Sequence, residues 1–119
     1  MEPKIIETET LNEYETSEHC FIAENWNSPK ISIARATVKP GVTTVPHHLR
    51  ATDEIYVIVQ GEGKVKIGEL KPTKIRAGDT VFIPADISQQ IANIGKSDLI
   101  FYCICTPRFT QDCYRTEAP

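Results

Sequence analysis

Residues 41–61, GVTTVPHHLRATDEIYVIVQG, hold two of the chain's three histidines side by side, then a glutamate, with a glycine at each end. The second half, EIYVIVQ (54–60), is rich in β-branched and aromatic residues and has the length of a strand. A carboxylate that opens such an apolar strand is costly to bury alone, so Glu54 needs a metal, an imidazole or a ligand beside it. Tyr56 follows by two and shares its face, offering a hydroxyl to a ligand or packing in the core.

Outward from this stretch, ISIARATV (31–38), KVKIG (64–68), DTVFIP (79–84) and LIFYCIC (99–105) have the same character. Turn residues punctuate them: Pro40-Gly41, Gly61-Glu62-Gly63, Gly78-Asp79, Pro84-Ala85-Asp86 and Asn93-Ile94-Gly95. No segment sustains a helical period, and strands do not alternate with helices. The chain is therefore expected to be all-β, an antiparallel sandwich or barrel. The first 29 residues are less regular, with strands expected at KIIET and HCFIAE, and the polar tail after Pro107 is expected to wrap the outside.

With 119 residues, 40% hydrophobic and 24% charged, the chain fits one domain, 1–119, whose core suffices without disulfide or metal staples. Thirteen basic and sixteen acidic residues give a net charge of −3 without long blocks of either sign, so a nucleic-acid footprint is missing. The opening MEPKIIETET has no signal-peptide pattern and no apolar run is long enough to span a membrane, which points to a cytoplasmic protein. Cys20, Cys103, Cys105 and Cys113 form no CxxC pair, and Cys103 and Cys105, two apart on a strand, cannot reach good disulfide geometry. They are expected to be reduced, mostly core, residues; whether Cys103 or Cys105 faces a cavity stays open.

Gly41 is followed after five residues by His47, then by Glu54 and Gly61; Gly78 is followed after five by Pro84, then by Gln89 and Asn93. This pattern resembles the two signatures of the cupin superfamily, G(x)5HxH(x)3-4E(x)6G and G(x)5PxG(x)2H(x)3N. The resemblance implies a double-stranded β-helix, a jelly-roll barrel, carrying its motifs at 41–61 and 78–93, with N-terminal strands 1–29 and tail 107–119 packed outside. It also implies a site for a divalent metal, Mn, Fe, Ni or Zn, at His47, Glu54 and Gln89. The second histidine position falls on Leu49, the later histidine on Gln89 and a glycine on Asp86, so two of four usual ligands are replaced. His48 joins such a site only if a bulge turns it inward; otherwise alternation puts it on the outer face.

Two functions follow. Either a divalent metal supports isomerase, lyase or oxygenase chemistry on a small organic molecule, or a metal-free pocket built on Glu54, Tyr56 and Gln89 binds a small molecule or sugar without catalysis. The resemblance further implies a homodimer joined through N-terminal strands, with Trp26 either at that interface or in the core.

Overall fold

The computed structural model describes residues 2–116. Its strands are β1 (Glu13–Glu15), β2 (Cys20–Ser28), β3 (Ile31–Val38), β4 (His47–Leu49), β5 (Asp53–Gln60), β6 (Glu62–Ile67), β7 (Thr73–Arg76), β8 (Thr80–Ile83), β9 (Gln89–Asn93), β10 (Leu99–Thr106) and β11 (Tyr114–Thr116). They form a six-stranded sheet in the order β1-β2-β3-β10-β5-β8 and a five-stranded sheet in the order β11-β4-β9-β6-β7. All pairings are antiparallel and the two sheets close into the expected jelly roll.

Period-two alternation sets the faces. In β5, Glu54, Tyr56 and Ile58 are buried while Ile55, Val57 and Val59 face out; in β6, Gly63, Val65 and Ile67 are buried while Glu62, Lys64 and Lys66 are exposed. Phe101, Ile58, Ile83, Ile91, Leu99 and Val38 are almost fully enclosed between the sheets. Each such side chain contributes roughly 1.5–3 kcal/mol by leaving water. These belong to one main cluster, and a smaller one of Leu49, Cys105 and Cys113, with Phe109 and Tyr114 against it, is separate from it.

The turn residues do what their chemistry predicts. The Asp79 carboxylate accepts from the Arg76 amide at 2.9 Å, closing the turn into β8. Asp86, standing where the signature has glycine, still adopts the left-handed backbone (φ 70°) and accepts from the Ala51 amide at 3.1 Å. Asn93 is buried and staples the following turn, donating to Val38 O and Ser97 O and accepting from Gly95 N at 2.8–2.9 Å.

Two expectations change. KIIET forms no strand: residues 4–7 pair with nothing in the sheets, and a short 3-10 turn follows at Thr8–Thr10. Its β-branched residues favour extension, but within the chain no edge receives them. HCFIAE starts a strand that runs on to Ser28, held by nearly its whole length against β3. The segments TKIR and QQIAN were not expected as strands because they are short and polar; tertiary pairing recruits them.

Candidate ligand site inside the barrel

A cavity of about 270 Å³ opens between the sheets. Its floor is built by Tyr56, Ile91 and Phe101, with the Tyr56 and Phe101 rings tilted against each other at 4.7 Å. Glu54 and Tyr56 project from β5 of the six-stranded sheet, His47 from β4 of the opposite one, and all three line the cavity. Gln89, across from His47 in register, is fully buried behind this lining, and its Oε1 accepts from the Tyr56 hydroxyl, tying the two sheets together.

Glu54 lies opposite Cys105 in the ladder, and the Cys105 thiol donates to its Oε2 at 3.6 Å. Burial is the main influence and pushes the carboxyl up to about 7, against the pull of Gln89, Cys105 and Cys103 on the anion. The Gln89 amide nitrogen falls outside hydrogen-bond geometry, so among the described residues it is a buried donor without a partner. Thiols are weak donors, which leaves Glu54 nine-tenths buried, facing a cavity and poorly solvated. Cys103 and Cys105 both face the cavity, as does Cys20; burial raises all three thiols, so they are not reactive thiolates. All four cysteines are free.

His47 is buried, and its Nδ1 donates to Val45 O at 2.8 Å. Two residues absent from the sequence-derived set surround it. Glu18, at the tip of the β1–β2 hairpin, brings a carboxylate oxygen to 3.7 Å from Nδ1. Tyr114, on β11, stacks on the imidazole at 4.8 Å and donates its hydroxyl to the same Glu18 oxygen at 3.1 Å. His19 in the left-handed region (φ 65°) and the Thr16 side chain accepting from Cys20 N reverse the hairpin and turn its tip to the cavity. No pattern around Glu18 or Tyr114 marks either as a cavity residue.

His48 alternates to the other side of β4, partly exposed and outside the cavity lining. Leu49 takes the second histidine position and is buried against Cys105 and Cys113. The expected donor set is thin for a metal ion: one imidazole and one carboxyl of it line the cavity, and the amide oxygen is already engaged by Tyr56. Among the described residues no three His, Cys, Asp or Glu side chains are grouped to hold one. No helix of the described residues is long and apolar enough to cross a membrane.

The family model described as Cupin domain matches residues 34–105. The chain is 31% identical over 116 residues to the uncharacterized protein MJ1618 of Methanocaldococcus jannaschii, covering 92% of each. Among solved structures, a predicted oxalate decarboxylase of Thermotoga maritima superposes with a TM-score of 0.81 at 24% identity, over 87% of this chain and 99% of that one. KdgF of Halomonas sp. does so with 0.81 at 16%, over 89% and 96%. Streptomyces Pac13, described as a nucleoside dehydratase and solved also with uridine, gives 0.81 at 13%, over 98% and 92%. These likenesses are of fold.

Proposed function

This chain belongs to the cupin family, and from that premise we propose that its barrel binds a small organic molecule directly, without a resident metal, using Glu54, His47 and Tyr56 as its polar contacts. The observation that carries this is Glu54, a nine-tenths buried carboxyl facing the cavity with only thiols and a misaligned amide nearby. Such a group gains most from a ligand donor that reaches it. With its pKa raised to about 7, it can also give or take a proton near neutrality, the property that isomerisations and eliminations require. Uridine in a structural neighbour supports a cavity of this kind taking a small organic guest.

The metal-dependent alternative, with Mn, Fe, Ni or Zn at His47, Glu54 and Gln89, draws support from the family and from the two ligand types retained at motif positions. Metal analysis of untagged protein, combined with ligand-observed NMR on chelator-treated samples, separates the two. Saturable binding by metal-stripped protein, weakened at least tenfold by Glu54→Ala, is the expected result. Stoichiometric metal lost on His47→Ala, with binding restored only by adding one of the four ions, would instead establish the metal site.

We further propose a homodimer in a reducing, cytoplasmic setting, which the four free thiols favour. Across the outer face of the six-stranded sheet, Trp26, Ile33, Ile104, Ile55 and Phe82 are successive cross-strand partners, an apolar row with Phe82 58% exposed. The corresponding face of β6 carries Glu62, Lys64 and Lys66. Ile5, 92% exposed in the unpaired N-terminal arm, supplies a matching apolar group for a second copy, so a two-fold pair covers both arms and both faces. Size-exclusion chromatography with light scattering should give twice the chain mass, and Phe82→Glu should halve it; a wild-type monomer at micromolar concentration would overturn the dimer.

A further inference from the structure

The charge inside the barrel is one-sided. Glu18, Glu24 and Glu54 line the cavity, and among the described residues no lysine or arginine does; His47 is the single basic group. Glu24 is held at the rim by Asn27, whose amide donates to it at 2.6 Å. The Glu18 side chain is only 13% exposed, and its Oε2 accepts one hydrogen bond, from Tyr114. Five aromatic rings, Tyr14, Tyr56, Phe101, Phe109 and Tyr114, line the same cavity as these carboxyls.

A carboxylate or phosphate entering this space would meet like charge in a poorly solvated enclosure with no guanidinium or ammonium to receive it. An ammonium would meet the reverse: carboxylate oxygens to accept its hydrogens and ring faces that attract a cation. We propose that the cavity selects a small organic amine, bound as its cation between Glu18 and the rings of Tyr114 and Tyr14, and rejects anionic ligands. Glu18 and Tyr114 lie outside the residues the family model matches, so the hairpin tip and the C-terminal strand add this preference to a common barrel. The Tyr114 hydroxyl orients the carboxylate; an arriving amine takes its second lone pairs, with the buried Glu54 deeper in the same cavity.

This inference rests on the proposal that the barrel is a small-molecule site, and a matched ligand series tests the two separately. Benzylamine, benzyl alcohol and benzoate share one skeleton and differ in charge. Titrated into wild type at pH 7 and low salt, the amine should bind at least tenfold more tightly than benzoate, with the alcohol between them. Glu18→Gln should weaken the amine about tenfold and leave the alcohol unchanged, which also shows that the variant is folded. Tyr114→Phe should lower amine affinity by a smaller factor. Benzoate binding as well as or better than the amine, or an amine affinity indifferent to Glu18→Gln, overturns the charge selection while leaving the small-molecule site standing. Silence from all three compounds, with or without added divalent metal, overturns both.

Discussion

Between pH 4 and pH 8 the wild-type protein is expected to lose about 3 kcal/mol of stability relative to a Glu54→Gln variant. The Glu54 carboxyl titrates near 4.5 when unfolded and is pushed up to about 7 by burial in the folded chain. The folded state therefore holds its proton more tightly. The favourable contribution is fully present below the unfolded pKa, declines as pH rises through 4.5 towards 7, and is gone above the folded value, where an anion must be buried. Other acids act on both proteins alike, so the difference between paired urea or thermal unfolding curves isolates Glu54. A wild-type-minus-variant difference that stays flat from pH 4 to pH 8 would mean that the carboxyl is solvated or ion-paired, and the proposed ligand contact would lose its basis.

Gly61→Ala is expected to destabilise the fold by about 3 kcal/mol or more, enough to deplete soluble protein. Gly61 sits at φ +89°, and an added Cβ would lie 2.7 Å from Asp98 O and 3.0 Å from Leu99 Cα. Both are backbone atoms, which cannot swing aside as a side chain can. Gly78→Ala is the control: it has a similar φ, +98°, but nothing within 4 Å of the new Cβ, so only the left-handed penalty of about 1–2 kcal/mol applies. Equal unfolding midpoints for the two variants would show that the close approach of β5 and β10 at Gly61 is not the cause.

The two glycines explain why the fold was legible. A φ > 0 requirement and a two-residue alternation are local properties, written into each segment whatever lies elsewhere in the chain. The strands at 31–38 and 99–105, the turns at Gly61 and Gly78, and the shared face of Glu54 and Tyr56 follow from them, while the motif position implied that this face turns inward. KIIET failed by the same logic: its residues favour extension, but a strand also needs a partner, and residues 4–7 join neither sheet.

The site divides along that line. Placement of His47 and Glu54 on inward positions came from motif spacing and strand period, and the burial of both agrees. Gln89 was expected as a ligand to a metal; where it stands, its carbonyl oxygen is taken by Tyr56 and it acts across the two sheets. His48 turns away because β4 has no bulge to bring consecutive residues to one side.

By itself, then, the amino-acid sequence determined an all-β chain, its turns and the common face of Glu54 and Tyr56, because backbone sterics and side-chain alternation act over a few residues. The contacts that give the cavity its character were decided only when the barrel closed. Tyr114 reaches Glu18 across 96 residues of chain, and the imidazole of His47 lies against both. No local preference encodes such a meeting; it exists because two sheets and a C-terminal strand converge on one mouth, where burial then sets what each group can do.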